Sequence, residues 1–254
     1  MGLDVWRRRS YNGGMKIVEK IKRKQSELSR SPAVTIVCIG DSVTQGCFEC
    51  FVAEDGNIDA VFDSESSFAS RLKSMLNLLY PKVQFNMINA GVSGESAQGG
   101  LRRLERDVFA YAPDLVIVGY ALNDACQGRE GLASYKKAMG EILASIRDHG
   151  AECIVLTPNA MNTRTSCFLK EKPLIRLAEK FAKLQNEGVL DAYAETAREV
   201  ARERGAVLCD VYAEWKKMIE AGVDVTALLA NHLNHPIRDL HDLTAMMLCS
   251  RILG

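Results

Sequence analysis

The chain has 254 residues, 47% of them hydrophobic, which suits one large domain with a sizeable buried core. Its 32 basic and 32 acidic side chains cancel, so no global field draws it to nucleic acid, an anionic membrane or a polyacidic substrate. A neutral or small substrate fits that balance better.

The chain opens with Arg7, Arg8 and Arg9, then a basic stretch of helical pattern over residues 15–24. Neither an apolar core of signal-peptide length nor a small-residue cleavage site follows. The reading is a basic helical extension over 1–30, a main domain over 31–254, and a cytoplasmic protein. The longest apolar runs, such as 34–39 and 115–118, are far short of the roughly 20 residues that span a bilayer, so no membrane span is expected.

Eight cysteines are spread along the chain without a tight framework, several inside apolar strand or helix patterns, which reads as free thiols in a reducing compartment. Cys47-Phe48-Glu49-Cys50 is a single CxxC, and no second CxxC or suitably spaced His pair completes a four-ligand set. The expectation is no metal and no other cofactor.

No internal repeat appears, and short runs rich in Val, Ile or Leu alternate with longer helical patterns, which is the α/β signature. The strand candidates are 34–39, 83–88, 114–119, 152–156 and 206–209. Five parallel strands buried on both faces would read this way. Between them, Phe68, Leu72, Met75, Leu76 and Leu79 recur at helical spacing, as do Tyr135, Met139, Ile142, Leu143 and Ile146. Residues 174–204 are helical with a break expected near Gly188, and 240–252 form a closing helix.

In a doubly wound sheet, ligands bind outside the carboxyl ends of the strands. The first strand candidate ends in Gly40-Asp41-Ser42-Val43-Thr44-Gln45-Gly46, a serine on a tight, Gly-bounded turn that can expose Oγ and aim backbone N–H groups at a substrate oxygen. An ordinary strand-to-loop connection reads equally well from this segment alone. Gly46 is followed by Cys47 rather than Lys, and neither G-x-G-x-x-G nor G-x-S-x-G occurs, which argues against phosphate loops and the α/β-hydrolase elbow.

The second strand ends in Asn89-Ala90-Gly91-Val92-Ser93-Gly94, and the third in Gly119-Tyr120-Ala121-Leu122-Asn123-Asp124. Near the C-terminus comes Asn231-His232-Leu233-Asn234-His235-Pro236, and His232, His235 and His241 fall within ten residues. Acidic partners at metal-ligand spacing are lacking there, so a general base is the simpler role.

GDS after the first strand, NxGxxG after the second, ND after the third and HP near the C-terminus together resemble the four blocks of the SGNH/GDSL hydrolase family, in order and spacing, over about 34–252. The resemblance implies a three-layer α/β/α, flavodoxin-like fold with a five-stranded parallel sheet, and hydrolysis of a small-molecule ester, thioester or amide without metal or organic cofactor. It makes Ser42 the nucleophile, His235 the base, and Gly94 and Asn123 oxyanion donors beside the Ser42 N–H, with Asp41 and Asp124 adjacent.

Two positions depart from the family pattern. Ala121 stands where Gly is usual, a change that a backbone outside positive φ would tolerate. His232 stands where the third triad member, Asp, is usual. The site therefore reads as a Ser-His dyad whose orienter is His232, a backbone carbonyl, or the amide oxygen of Asn231 or Asn234. The missing Asp also marks a competing reading, a non-catalytic or weakly active carbohydrate- or small-molecule-binding protein of the same fold. A receiver-like or nucleotide-binding domain would need a phosphate loop or an acidic cluster that the first strand's end lacks. A short-acyl ester, such as an acetylated carbohydrate, is favoured over a lysophospholipid or thioester. Residues 48–66 and 157–165 are expected to shape the pocket.

Overall fold

In a computed structural model, residues 15–254 are described, so the first half of the expected N-terminal extension, including Arg7 to Arg9, lies outside them. Five parallel strands form the central sheet: β1 (Val34–Gly40), β4 (Phe85–Gly91), β5 (Leu115–Gly119), β6 (Glu152–Leu156) and β7 (Val207–Cys209), in the order β4-β1-β5-β6-β7. The labels β2 (Cys47–Val52) and β3 (Ile58–Phe62) belong to a separate antiparallel hairpin.

The strands form where Val, Ile and Leu run together because both faces of the sheet are covered. Helices Phe68–Leu79 and Arg238–Leu253 pack against each other, and helix Leu132–Asp148 packs against helix Val189–Arg204, giving the helical layers their partners. Ile36, Val37, Cys38 and Ile39 of β1 are all fully buried. The expected long helix splits as anticipated: Lys172–Asn186 ends, Gly188 takes φ +68°, and Val189–Arg204 begins. The basic stretch near the N-terminus becomes helix Lys16–Ser26, whose Ile17 and Ile21 are buried and whose first two N–H groups donate to the Glu152 carboxylate at 2.8 and 2.7 Å. Lys20 pairs with Asp114 on the same side. Burying an isoleucine is worth about 1.5–3 kcal/mol, so this helix is docked on the sheet.

Strand register decides where the loops emerge. Gly40 lies opposite Gly91 on one side and Gly119 on the other. The loops that follow β1, β4 and β5 therefore leave the same edge side by side, at the point where strand order reverses.

The β2–β3 hairpin falls where a loop over 48–66 was expected. A register shift between Cys47 and Cys50 interrupts its alternation. Phe51, Ile58, Val61 and Phe62 are each at least 40% exposed, so neither strand shows the one-sided pattern that reveals a half-buried strand in sequence.

Candidate active site

Ser42 opens the short helix Ser42–Gln45, so its N–H is one of the first-turn donors that an α-helix leaves unsatisfied. Asp41 caps this helix, accepting the Val43 N–H at 3.0 Å. Burial pushes the Asp41 carboxyl up to about 7 despite that donor. Gly91 lets the neighbouring loop close on the same helix, since a Cβ there would lie 2.2 Å from the Gln45 nitrogen. Two side-chain bonds tie the loops together: Asn89 Nδ2 donates to the Thr44 carbonyl at 2.8 Å, and Gln45 Oε1 accepts the Ser93 N–H at 2.7 Å.

Gly94 sits at φ +78°, a conformation that favours glycine, with open space where a Cβ would project. Asn123 Nδ2 donates to the Glu95 carbonyl at 3.1 Å, which holds its amide beside Gly94. Ser42, Gly94, Asn123 and His235 line one cavity of about 250 Å³. The structure thus brings together the four residues the sequence singled out.

His235 Nε2 lies 2.9 Å from Ser42 Oγ, and its Nδ1 lies 2.9 Å from the Phe48 carbonyl oxygen. A carbonyl can only accept, so Nδ1 carries the proton and Nε2 is the lone-pair nitrogen that accepts from the Ser42 hydroxyl. Burial lowers the His235 pKa to about 4, with the Phe48 carbonyl acting in the opposite direction. The imidazole is therefore neutral at neutral pH.

Phe48 O replaces the expected side-chain orienters. His232 adopts φ +55°, stacks on Phe168 with ring centroids 5.4 Å apart, and places Nδ1 3.4 Å from the Thr226 carbonyl. Its ring is engaged there while His235 Nδ1 is held by Phe48, which corrects the assignment of His232 as a possible orienter. Asn231 and Asn234 are also engaged elsewhere. Asn231 Oδ1 accepts the N–H groups of Leu233, Asn234 and His235 at 2.9, 2.9 and 3.0 Å, while Asn231 Nδ2 donates to Asn234 Oδ1 at 3.0 Å. Asn231 thus folds the turn that presents His235, a role its position four residues upstream signals as an Asx motif. Asn159 braces the same turn by donating to the Asn234 carbonyl at 2.8 Å.

His241 belongs to a different environment: it packs between Phe48 and Phe68, and its Nδ1 accepts the Phe68 N–H at 3.0 Å. Asp124 accepts the Ala97 N–H at 3.1 Å, and burial raises it to about 6. Ala121, fully buried, stands at φ +152°, so the condition on which its methyl group was expected to be harmless is not met and the backbone there is strained.

Cys50 Sγ lies 4.0 Å from His235 Nδ1 and accepts from Asn231 Nδ2 at 3.4 Å; Cys47, the first residue of β2, is fully buried. Burial raises both thiols, Cys47 to about 11, which keeps them protonated. Among the described residues no group of three or more His, Cys, Asp or Glu side chains is arranged to hold a metal ion. Nor is any helix among them long and apolar enough to cross a membrane. The segment 157–165 reaches the edge differently from the reading above: Thr157, Pro158 and Asn159 line a small inner cavity behind Asp41, whereas Ile58, Asp59 and Phe62 of the hairpin wall the cavity at Ser42.

The model of the GDSL-like Lipase/Acylhydrolase family matches residues 38–243. An acetylxylan esterase from Geobacillus stearothermophilus is 22% identical over 193 residues, covering 73% of this chain and 79% of that protein. The crystal structure of an acetylxylan esterase from the same organism superposes with a TM-score of 0.62 at 18% identity, over 86% of this chain and 94% of the other. Another acetyl xylan esterase gives 0.64 at 16% identity, over 87% and 100%. These structures share the fold of the chain described here.

Proposed function

Because this chain belongs to the GDSL-like lipase/acylhydrolase family and is a hydrolase of ester bonds, we propose that it cleaves short-acyl esters through an acyl-enzyme on Ser42, with His235 as general base. The observation that carries this reading is the 2.9 Å contact between Ser42 Oγ and His235 Nε2, with Nδ1 held on the Phe48 carbonyl.

Ser42 Oγ attacks the ester carbonyl as its proton passes to His235 Nε2. The oxyanion draws on the N–H groups of Ser42 and Gly94 and the Asn123 amide, each such donor being worth about 10²–10³ in turnover elsewhere. The C–O bond then breaks, and the departing alcohol takes the proton from Nε2. Water attacks the acyl group, giving its proton to Nε2, and the acid leaves as Ser42 regains a hydrogen. Because the acceptor at Nδ1 is a neutral carbonyl, the imidazolium formed in each step lacks the stabilisation that a carboxylate gives. Turnover slower than that of a full triad follows.

The acyl donor we favour is acetate or another short chain on a neutral alcohol, an acetylated carbohydrate among them. The relatives named acetylxylan esterase support this. So does the cavity wall, which among the described residues contains no cation to receive a phosphate headgroup. A fluorophosphonate probe followed by peptide mapping tests the nucleophile: label on Ser42 is expected, and label elsewhere or none at all refutes the assignment.

A further inference from the structure

Arg103 has no place in any of the four sequence blocks, yet its buried guanidinium reaches all three loops that carry Ser42, Gly94 and Asn123. It is 7% exposed. Nη2 donates to the Gly40 carbonyl at 3.2 Å, two residues before Ser42. Nη1 donates to the Ala90 carbonyl at 2.7 Å, and Nε to Glu95 Oε2 at 2.5 Å, the residue after Gly94. Nη2 also donates to the Tyr120 hydroxyl at 3.0 Å, on the segment leading to Asn123. Glu95 closes the circuit, because its own carbonyl accepts the Asn123 amide at 3.1 Å.

We propose that Arg103 is a positioning residue that fixes the mutual spacing of the three oxyanion donors. The inference rests on the Ser42 reading above and adds the element that holds its geometry. Three separate loops leave the sheet edge, and each donor must meet the same oxygen within a fraction of an ångström to act. A planar fork of five N–H groups fixes several acceptors in one rigid arrangement, whereas a lysine's three donors sit on one freely rotating ammonium. Gly100 leaves room for this cluster, since a Cβ there would come 2.2 Å from the Tyr120 hydroxyl oxygen.

A role confined to general stability would lower the melting temperature and leave kinetics in the folded fraction intact. A positioning role acts on the transition state, because the oxyanion forms only there. The test uses Arg103→Lys and Glu95→Gln, with kcat and KM for p-nitrophenyl acetate and the affinity of a boronic acid, whose Ser42 adduct is tetrahedral. Expected for the folded variants is a kcat loss of about ten- to a hundredfold, the range that misplacement near 1 Å gives, with KM within about twofold. Boronate affinity should fall in parallel, while the low-pH limb set by His235 stays in place. Folded variants with wild-type kcat and boronate affinity overturn the proposal. Should Arg103→Lys fail to fold, Glu95→Gln, at a partly exposed partner, decides by the same two readouts. Wild-type hydrolysis that survives Ser42→Ala would instead sink the Ser42 reading itself.

Discussion

The carbonyl oxygen of Phe48 and Nδ1 of His235 lie 2.9 Å apart although 187 residues separate them in sequence. Phe48 stands on β2 and His235 on the turn folded by Asn231, so the hairpin and the C-terminal turn must dock correctly for the imidazole to face Ser42. The hairpin thereby contributes backbone chemistry as well as a cavity wall.

A neutral orienter and deep burial fix the pH dependence. His235 must be unprotonated to act as base, and its pKa is lowered to about 4 by burial. The expected kcat/KM profile for a neutral aryl ester is level from about pH 8 to 5 and falls to half near pH 4. A limb near the ordinary histidine value, about 6.5, would contradict the buried, neutral imidazole.

Stability follows a different pattern. His235 and His241, lowered to about 4 and about 3 by burial, contribute stability that is fully present above their unfolded pKa and lost as pH falls towards the folded values. Asp41 and Asp124, raised to about 7 and about 6, contribute stability that is present at low pH and lost as pH rises through those values. Between pH 4.5 and 6 the two pairs oppose each other, so the thermal midpoint should change little. Asp41→Asn removes one opposing titration, and its stability should fall as the pH drops through that window by about 1 kcal/mol per unit. An equally flat midpoint in Asp41→Asn would refute the opposition.

The orienting assignment separates two neighbours. His232→Ala removes a ring stacked on Phe168 and should leave kcat within about threefold. Asn231→Ala strips three backbone N–H groups of their acceptor and should cost at least about tenfold in kcat together with about 2 kcal/mol of stability, from buried donors left unmade. The reverse ranking, measured by kinetics and chemical unfolding, would restore His232 to the site.

Asp59 is the one carboxylate among the described residues walling the Ser42 cavity, and no lysine or arginine lies beside it in that wall. A single charge at about 5 Å in a partly solvated site is worth on the order of 1–2 kcal/mol. Asp59→Asn should therefore raise the kcat/KM ratio of an anionic ester to its neutral counterpart by about tenfold at low salt. Comparing p-nitrophenyl hemisuccinate and 4-acetoxybenzoate with p-nitrophenyl acetate covers both sides of the scissile bond. Unchanged ratios for both anionic esters would show that Asp59 does not filter charge.

Much of this was legible in the residues. Strand runs such as 34–39 are nearly continuous Val and Ile because both sheet faces are covered, and β1, β5 and β6 came within a residue of their observed bounds. Candidates Ser42, Gly94 and Asn123 are readable because each sits in a short block after a strand, and His235 because it stands in a His-Pro pair near the C-terminus. Phe48 was not, because the group that matters is a backbone carbonyl and any side chain provides one. Arg103 was equally silent: an arginine in a short polar helix-like segment looks solvated until the fold wraps carbonyls around it. At Ala121 the residue type suggested ordinary backbone, and only the observed dihedral reveals the strain.

The central claim is tested most directly by p-nitrophenyl acetate hydrolysis with wild type, Ser42→Ala and His235→Ala, each confirmed to be folded. A fall in kcat/KM of at least about 10³-fold in both variants is expected, since either change removes a group that the acyl-enzyme route cannot replace. Wild-type activity no greater than that of Ser42→Ala would contradict it.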